Sequence, residues 1–328
     1  MTPHQNVLVT GANGFVGRAV VIRCVSEKFQ VRAAVRREGT ENPPEVDVVR
    51  VADLSATTDW SNAVGGIDVV VHTAARVHVM RDLSADTLAE FRRVNVEGTM
   101  NLARQAAKAG VQRFIFMSSI KVNGERTVDG RPFRADDLPA PVDPYGISKY
   151  AAETALMELG RKTGIEIVII RSVLVYGPGV KANMLSMMQW LHRGIPLPLG
   201  AMHNKRSLVA LDNLVDLIVT CIRHPAAANE IILVSDGEDL STTALLRRTA
   251  AALGKRVVLV PAPAWMLRLT ARLARKEEIA QRLCDSLQVD IEKTKRLLGW
   301  VPPIRVEDAL KETARDFLRD KTRKGSGN

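Results

Sequence analysis

Cysteine is scarce in this chain, and long apolar runs are missing. Its 328 residues hold three cysteines, Cys24, Cys221 and Cys284, far apart and outside any Cys-x-x-Cys or Cys/His spacing. That pattern excludes a disulfide framework and indicates no zinc or other metal site; the expected state is reduced, mainly buried side chains. No apolar stretch approaches the ~20 residues that span a bilayer. The strand-like Val7-Leu8-Val9-Thr10 begins too early to leave room for a signal peptide. Internal repeats and extended low-complexity segments are missing as well. Together these absences predict a soluble, cytoplasmic protein.

Apolar content is ample: 46% of residues are hydrophobic, enough at this length to bury a large core. The formal net charge is +10, yet the basic residues are scattered apart from a cluster at 319–324 that reads as a solvated terminus. Nucleic acid is therefore not the expected partner. A mildly basic surface suits anionic small molecules such as dinucleotides and sugar nucleotides, whose local concentration it raises. The basic, amphipathic stretch 265–283 has the composition of a membrane-surface helix. Glu277 and Glu278, and its place inside a folded lobe, point instead to an ordinary surface helix.

Apolar runs at 6–10, 31–35, 46–51, 68–72, 113–117 and 166–171 alternate with helical patterns at 15–28, 86–110 and 145–163. This alternation predicts an α/β fold, a Rossmann-type doubly wound parallel sheet with helices on both faces. Val69-Val70-Val71 fits a strand buried on both sides. After Gly177-Pro178-Gly179 the rhythm breaks into a Met-rich segment, 184–190. A helical pattern at 211–222 and an apolar run at 231–234 look like a return to the sheet, and helices dominate from Asp236 onward. The expected division is a dinucleotide-binding domain from 1–178 and 208–235 and a smaller, mainly helical substrate-binding lobe from 179–207 and 236–318. A flexible tail, 319–328, follows.

The string Gly11-Ala12-Asn13-Gly14-Phe15-Val16-Gly17 follows the first strand and opens a helix. Glycines at that spacing permit a tight turn and let the backbone approach a pyrophosphate at the positive helix N-terminus. An acidic residue about 20 positions further on would bind the adenosine ribose of NAD, whereas arginine there accommodates the 2′-phosphate of NADP. The chain has Ala33-Ala34-Val35-Arg36-Arg37 at that place. NADP(H) is therefore favoured over NAD(H), with Arg36 and Arg37 on the 2′-phosphate and Arg18 nearby. Two solvated arginines after a strand is the plainer alternative. Asp53 is placed either to accept from the adenine amino group or to cap a helix.

Tyr145 and Lys149 stand four apart and so share one helix face. An ammonium beside a phenol stabilises its anion, which predicts a Tyr145 pKa lowered from ~10 towards neutrality, within range for acid–base work. The run Phe114-Ile115-Phe116-Met117 reads as a strand ending in Ser118-Ser119. Residues at the carboxyl ends of parallel strands line the ligand crevice, so Ser119 can polarise a substrate carbonyl.

With these motifs the chain resembles the extended short-chain dehydrogenase/reductase family of nucleotide-sugar epimerases, dehydratases and reductases. Asp53-Leu54, His72-Thr73-Ala74-Ala75, Asn95, Val175-Tyr176-Gly177-Pro178-Gly179 and Leu298-Gly299-Trp300 extend the resemblance over almost the whole length. It implies that Ser119, Tyr145 and Lys149 act at the C4 oxygen of a hexose while a nicotinamide exchanges hydride with C4. It adds Leu54, Thr73, Ala74, Ala75, Asn95 and Val173 to the cofactor site, and Asn183 and Arg206 to the holding of a UDP-sugar diphosphate. Arg206 has a structural alternative as the partner of Asp212 or Asp216. Lys121 and Asn123 are either sugar contacts or loop structure. Members often pair two helices per subunit into a four-helix bundle, which leaves a homodimer open.

Dehydratases of the family carry Asp-Glu after the catalytic hydroxyl residue, and this chain has Ile120-Lys121, so dehydration is not expected. Epimerases retain NAD and usually show the ribose-binding acid that Arg36 replaces. Val122-Asn123-Gly124 in place of Val-Tyr-Gly resembles the subgroup that reduces UDP-2-acetamido-2,6-dideoxy-4-keto-hexose for surface polysaccharide such as O-antigen. The expected activity is therefore NADPH-dependent reduction of that C4 ketone with Tyr145 as proton donor. A UDP-hexose 4-epimerase with bound NAD is the alternative, and a dinucleotide-sensing regulator without catalysis is a second.

Overall fold

Ten strands and twelve α-helices order the residues described by the computed structural model, which are 5–37, 42–77, 86–128, 130–274 and 277–325. The strands are β1 (Asn6–Thr10), β2 (Gln30–Val35), β3 (Asp47–Arg50), β4 (Val69–His72), β5 (Arg113–Ser119), β6 (Glu166–Ser172), β7 (Leu174–Tyr176), β8 (Arg206–Ala210), β9 (Ile231–Val234) and β10 (Asp239–Leu240). The helices are α1 (Phe15–Ser26), α2 (Ser61–Val64), α3 (Thr87–Arg92), α4 (Thr99–Lys108), α5 (Pro144–Thr163), α6 (Ala182–His192), α7 (Leu211–Arg223), α8 (Thr242–Ala252), α9 (Ala264–Leu273), α10 (Glu277–Cys284), α11 (Glu292–Leu298) and α12 (Val306–Gly325).

Seven strands form one parallel sheet in the order β3-β2-β1-β4-β5-β6-β9. This is the Rossmann-type doubly wound sheet. Its order reverses between β1 and β4, and that switch opens a crevice at the carboxyl ends of the strands. Successive side chains point to opposite faces of a strand, and here both faces are apolar. Val7, Val9, Val69, Val71, Ile115 and Val168 pack with Val20, Val21 and Cys24 of α1 and Leu214, Leu217 and Ile218 of α7. Leu8, Val70, Phe114, Phe116, Ile167 and Ile169 face α4 and α5 through Leu102, Ala106, Ala152 and Leu156. Fully burying such a side chain contributes about 1.5–3 kcal/mol, so the two layers hold the sheet's ends in fixed positions.

A second sheet of three short strands, β10-β8-β7, lies beyond the first. β7 runs parallel to β8 and β10 antiparallel to it. A third apolar cluster joins Tyr176 of β7, Met184 and Met188 of α6, Leu246 of α8 and Leu310, Ala314 and Phe317 of α12. α12 runs on into the expected tail as far as Gly325; residues 326–328 lie outside the described residues. The helix expected over 86–110 is interrupted by a π-helical turn, Arg93–Gly98. Among the described residues, no helix is long and apolar enough to cross a membrane.

Candidate active site

The turn from β1 into α1 leaves no room for side chains. Gly11 has φ +67°, in the left-handed region, and a Cβ there would lie 2.8 Å from the Ala74 nitrogen. A Cβ on Gly17 would lie 2.2 Å from the Gly11 carbonyl oxygen and 2.7 Å from the Thr73 hydroxyl. The Gly14 N–H donates to the Gly11 carbonyl at 2.8 Å. Thr73 donates to the Thr10 carbonyl at 2.7 Å, which seats the loop after β4 beneath the turn. Gly14 is the N-cap of α1 and has no side chain to cover it. The first-turn N–H groups beside Phe15 and Val16 therefore face a bare backbone cradle, which fits the pyrophosphate of a dinucleotide.

The predicted adenosine-end residues meet one another. Arg36, exposed at the end of β2, donates to the Asp53 carboxylate at 2.8 Å. That hydrogen bond holds the Asp53 carboxyl below the usual carboxylate range. Asp53 caps no helix, since the N-cap of the following α2 is Trp60. The Arg37 carbonyl accepts from Asn13 at 3.3 Å, tying β2 to the glycine turn. Arg18 is exposed on the first turns of α1. Leu54 packs on Gly98, where a Cβ would come within 2.7 Å of its Cγ. Val173 is buried just after β6.

Asn95, expected at the cofactor, is held by the chain itself. Buried in the π-helical turn, it donates to the Arg76 carbonyl at 3.0 Å and to the Ser148 hydroxyl at 3.1 Å, and accepts from the Arg76 N–H at 2.8 Å. Both amide hydrogens are thus committed within the chain. Asn95 joins the Thr73-Ala74-Ala75 loop to α5, so glycine turn, loop and α5 form one connected unit.

On α5, Asp143 caps the helix by accepting from the Gly146 N–H at 2.7 Å. Tyr145 and Lys149 then fall on one face, with Glu153 a further turn along. The Lys149 ammonium donates to the Met117 carbonyl at 2.8 Å and lies 4.4 Å from the centre of the Phe116 ring and 5.9 Å from that of Tyr145. Ser119, half-buried, ends β5 two residues beyond Met117 and accepts from the Lys121 N–H at 3.3 Å. The edge of Tyr145 meets Phe91 of α3, centroids 5.9 Å apart. Ser119, Tyr145 and Lys149 are therefore brought to one place, at the carboxyl end of β5.

The electrostatics there reverse one expectation. Burial pushes the Tyr145 phenol up, and Asp143 adds to the effect, so the neutral hydroxyl is favoured. Burial pushes Lys149 down to about 7, against an opposing pull from Glu153. The cause is common to both: a low-dielectric site disfavours whichever form is charged.

Beneath this face lies a buried network with no forerunner in the sequence analysis. The Glu153 carboxylate accepts from Arg171 of β6 at 2.6, 3.0 and 3.2 Å, and from the Ser118 hydroxyl. Arg171 also donates to Asn123 Oδ1 at 3.0 Å, and Asn123 donates to the Arg134 carbonyl at 2.9 Å. Asn123, 2% exposed, is thus loop structure and not a sugar contact. Lys121 pairs with Asp143 and with Glu125 at 3.2 Å, bracing the start of α5. The one signal the sequence offers for it is the i+4 spacing of Glu153 from Lys149. Arg206 meets neither Asp212 nor Asp216. It donates to the carbonyls of Arg282 and Asp285 at 3.1 and 3.2 Å, around the C-terminus of α10, while Asp216 pairs with Arg23 at 2.9 Å. Asn183 is exposed on the first turn of α6.

A glycine turn at the switch point of a doubly wound sheet, with a serine, tyrosine and lysine converging above β5, defines a dinucleotide-dependent enzyme of the short-chain dehydrogenase/reductase type. The chain belongs to the NAD dependent epimerase/dehydratase family, whose model matches residues 7–235. It is 48% identical over 321 residues to a UDP-glucose 4-epimerase of Vibrio cholerae, covering 97% of each chain. It is 26% identical over 324 residues to N-acetyl-alpha-D-glucosaminyl-diphospho-ditrans,octacis-undecaprenol 4-epimerase of Escherichia coli O157:H7, covering 94% of each. Among solved structures, UDP-glucose 4-epimerase with UDP-glucose from Thermotoga maritima superposes with a TM-score of 0.77 at 23% identity, over 97% of this chain and all of that one. The protein is thus an enzyme of the epimerase/dehydratase class, and the glycine cradle supports a nicotinamide dinucleotide as its cofactor.

Proposed function

We propose that this chain is a UDP-hexose 4-epimerase. The observation that carries the reading is the Lys149 ammonium, held 2.8 Å from the Met117 carbonyl beneath Tyr145 and beside the strand end that bears Ser119. The likeness to the Vibrio cholerae epimerase across nearly the full length supports it. A nicotinamide dinucleotide in the glycine cradle supplies the hydride acceptor and donor. Tyr145 exchanges the proton of the sugar C4 oxygen, Ser119 hydrogen-bonds that oxygen, and Lys149 stabilises the phenol as its proton moves. The lobe of residues 179–207 and 236–318 holds the UDP-sugar, with Asn183 and Arg206 towards the diphosphate, where a guanidinium can bond two oxygens at once.

The expected 4-ketoreductase gives way to this reading and survives as a second one on a single observation: Arg36 and Arg37 stand where a ribose-binding acid would suit NAD. The pairing of Arg36 with Asp53 weakens it, because a carboxylate 2.8 Å away opposes a 2′-phosphate at the same spot. Incubation with UDP-glucose and NAD, without reductant, separates the two. The epimerase forms UDP-galactose with no net change in reduced-nicotinamide absorbance. Failure to interconvert the two sugars, together with NADPH oxidation by a UDP-4-keto-6-deoxy-N-acetylhexosamine, would establish the reductase instead.

A further inference from the structure

Helix α9 carries apolar side chains on opposite faces. At about 100° per residue, Ala264, Leu267 and Ala271 point one way, and Ala264 and Leu267 pack on the apolar cluster beneath. On the other side, Trp265, Leu269, Leu273 and Met266 fall within an arc of about 100°. They are 65%, 51%, 79% and 40% exposed, and no residue of α9 is buried. The outward face of a surface helix is ordinarily polar. Here it holds no polar side chain, and Arg268 and Arg272 line one flank of it.

The chain on either side of α9 is basic. From Leu240 to Lys276 the sequence holds eight arginines and lysines and no aspartate or glutamate. Arg268 is offset by Asp285 at 2.7 Å, and Arg248 by Glu238 and Glu307 at 2.6 Å; Arg272 is exposed on the same flank as Arg268. Glu277 and Glu278 open α10, past the end of α9. The folded lobe covers the inner face of α9, with α10 packed beside it, and leaves the Trp265, Leu269 and Leu273 arc exposed.

An apolar arc with tryptophan at one end and arginines along its edge matches a helix lying in the plane of an anionic bilayer surface. A second copy of this chain suits it less well, because an antiparallel twofold contact through the arc would set the arginines of both copies along one edge. We propose that α9 seats the protein on anionic lipid, with Trp265, Leu269 and Leu273 at the headgroup level and Arg272 against lipid phosphates. This stands apart from the proposed reaction, since it uses none of the residues assigned to it.

The test is sedimentation of the full-length chain with vesicles of phosphatidylglycerol and phosphatidylcholine in equal parts, and with phosphatidylcholine alone. Binding to the anionic vesicles is expected to exceed binding to the neutral ones and to fall with salt. The Arg272→Gln variant should partition about fivefold less, the factor for one basic residue at an anionic surface. Arg268→Gln should lose less, because Asp285 already offsets its charge. The double variant Leu269→Asp/Leu273→Asp should stay in solution, with an unchanged thermal transition showing that it is folded. Equal binding to both vesicles, or binding retained by the double variant, would overturn the proposal. So would a wild type that ignores vesicles but loses a dimer on the same double substitution, which would assign the face to a second copy.

Discussion

Glu153→Gln removes one charge from the most enclosed ion pair beneath the site and keeps the side chain's shape. The Glu153 and Arg171 side chains are 3% and 2% exposed, and their contacts run from 2.6 to 3.2 Å. Taking one partner from such a pair leaves the other charged without a counter-ion and costs about 3–5 kcal/mol. Glutamine still offers an acceptor to Arg171, and Arg171 keeps Asn123, so the low end, about 3 kcal/mol, is the expected loss. With an unfolding entropy of about 2.1 cal/mol/K per residue, that lowers the Tm by roughly 4–5 °C. Calorimetry reads it directly. The substitution also withdraws the charge that opposes the downward shift of Lys149, so the kinetic pKa assigned to Lys149 should move below about 7. The apolar pair Glu153→Leu/Arg171→Met should recover most of the stability without recovering that pKa. If Glu153→Gln changed neither the Tm nor the pH profile, the network would have no part in positioning Lys149.

Further predictions rest on the site's individual parts. Tyr145→Phe should lower kcat for UDP-glucose by about 10²–10⁴ with KM little changed, the loss typical of an acid–base group; steady-state kinetics with an unaltered kcat would remove Tyr145 from the reaction. In Gly17→Ala the new methyl would meet the Gly11 carbonyl at 2.2 Å, so NAD binding measured by calorimetry should be largely lost, and wild-type affinity would disprove the cradle. Arg36→Ala breaks an exposed pair and should change stability by less than about 1 kcal/mol. If Arg36 serves a 2′-phosphate, it should weaken NADPH more than NADH, and equal losses return the residue to the surface. Lys149 has a folded pKa of about 7 against ~10.4 unfolded, so across that window the unfolded chain binds more protons and stability rises with pH. Lys149→Met should flatten the rise in urea titrations from neutral to alkaline pH.

The sequence revealed most where chemistry and chain position coincide. The glycine turn was legible because tight backbone turns demand glycine at fixed offsets, and the parallel sheet because both faces of its strands are apolar. The small sheet was not: β7 begins one residue after β6 and β10 has two residues, too short for any period to show. Two gaps at the site have separate origins. Lys121 and Asn123 stayed open between sugar contact and loop structure because spacing along the chain cannot say which polar groups the fold consumes. Asn123 is taken by Arg171 from 48 residues away, and Lys121 by Asp143 from 22. The Tyr145 pKa was read with the wrong sign because helical spacing supplies a neighbouring charge and says nothing of burial. Four residues on one helix face bring Lys149 near the phenol, but the same packing that fixes the ammonium on the Met117 carbonyl strips water from both groups. In this chain desolvation outweighs the pair, which favours the neutral Tyr145 hydroxyl at rest and leaves Lys149, near neutrality, as the group whose charge the working pH decides.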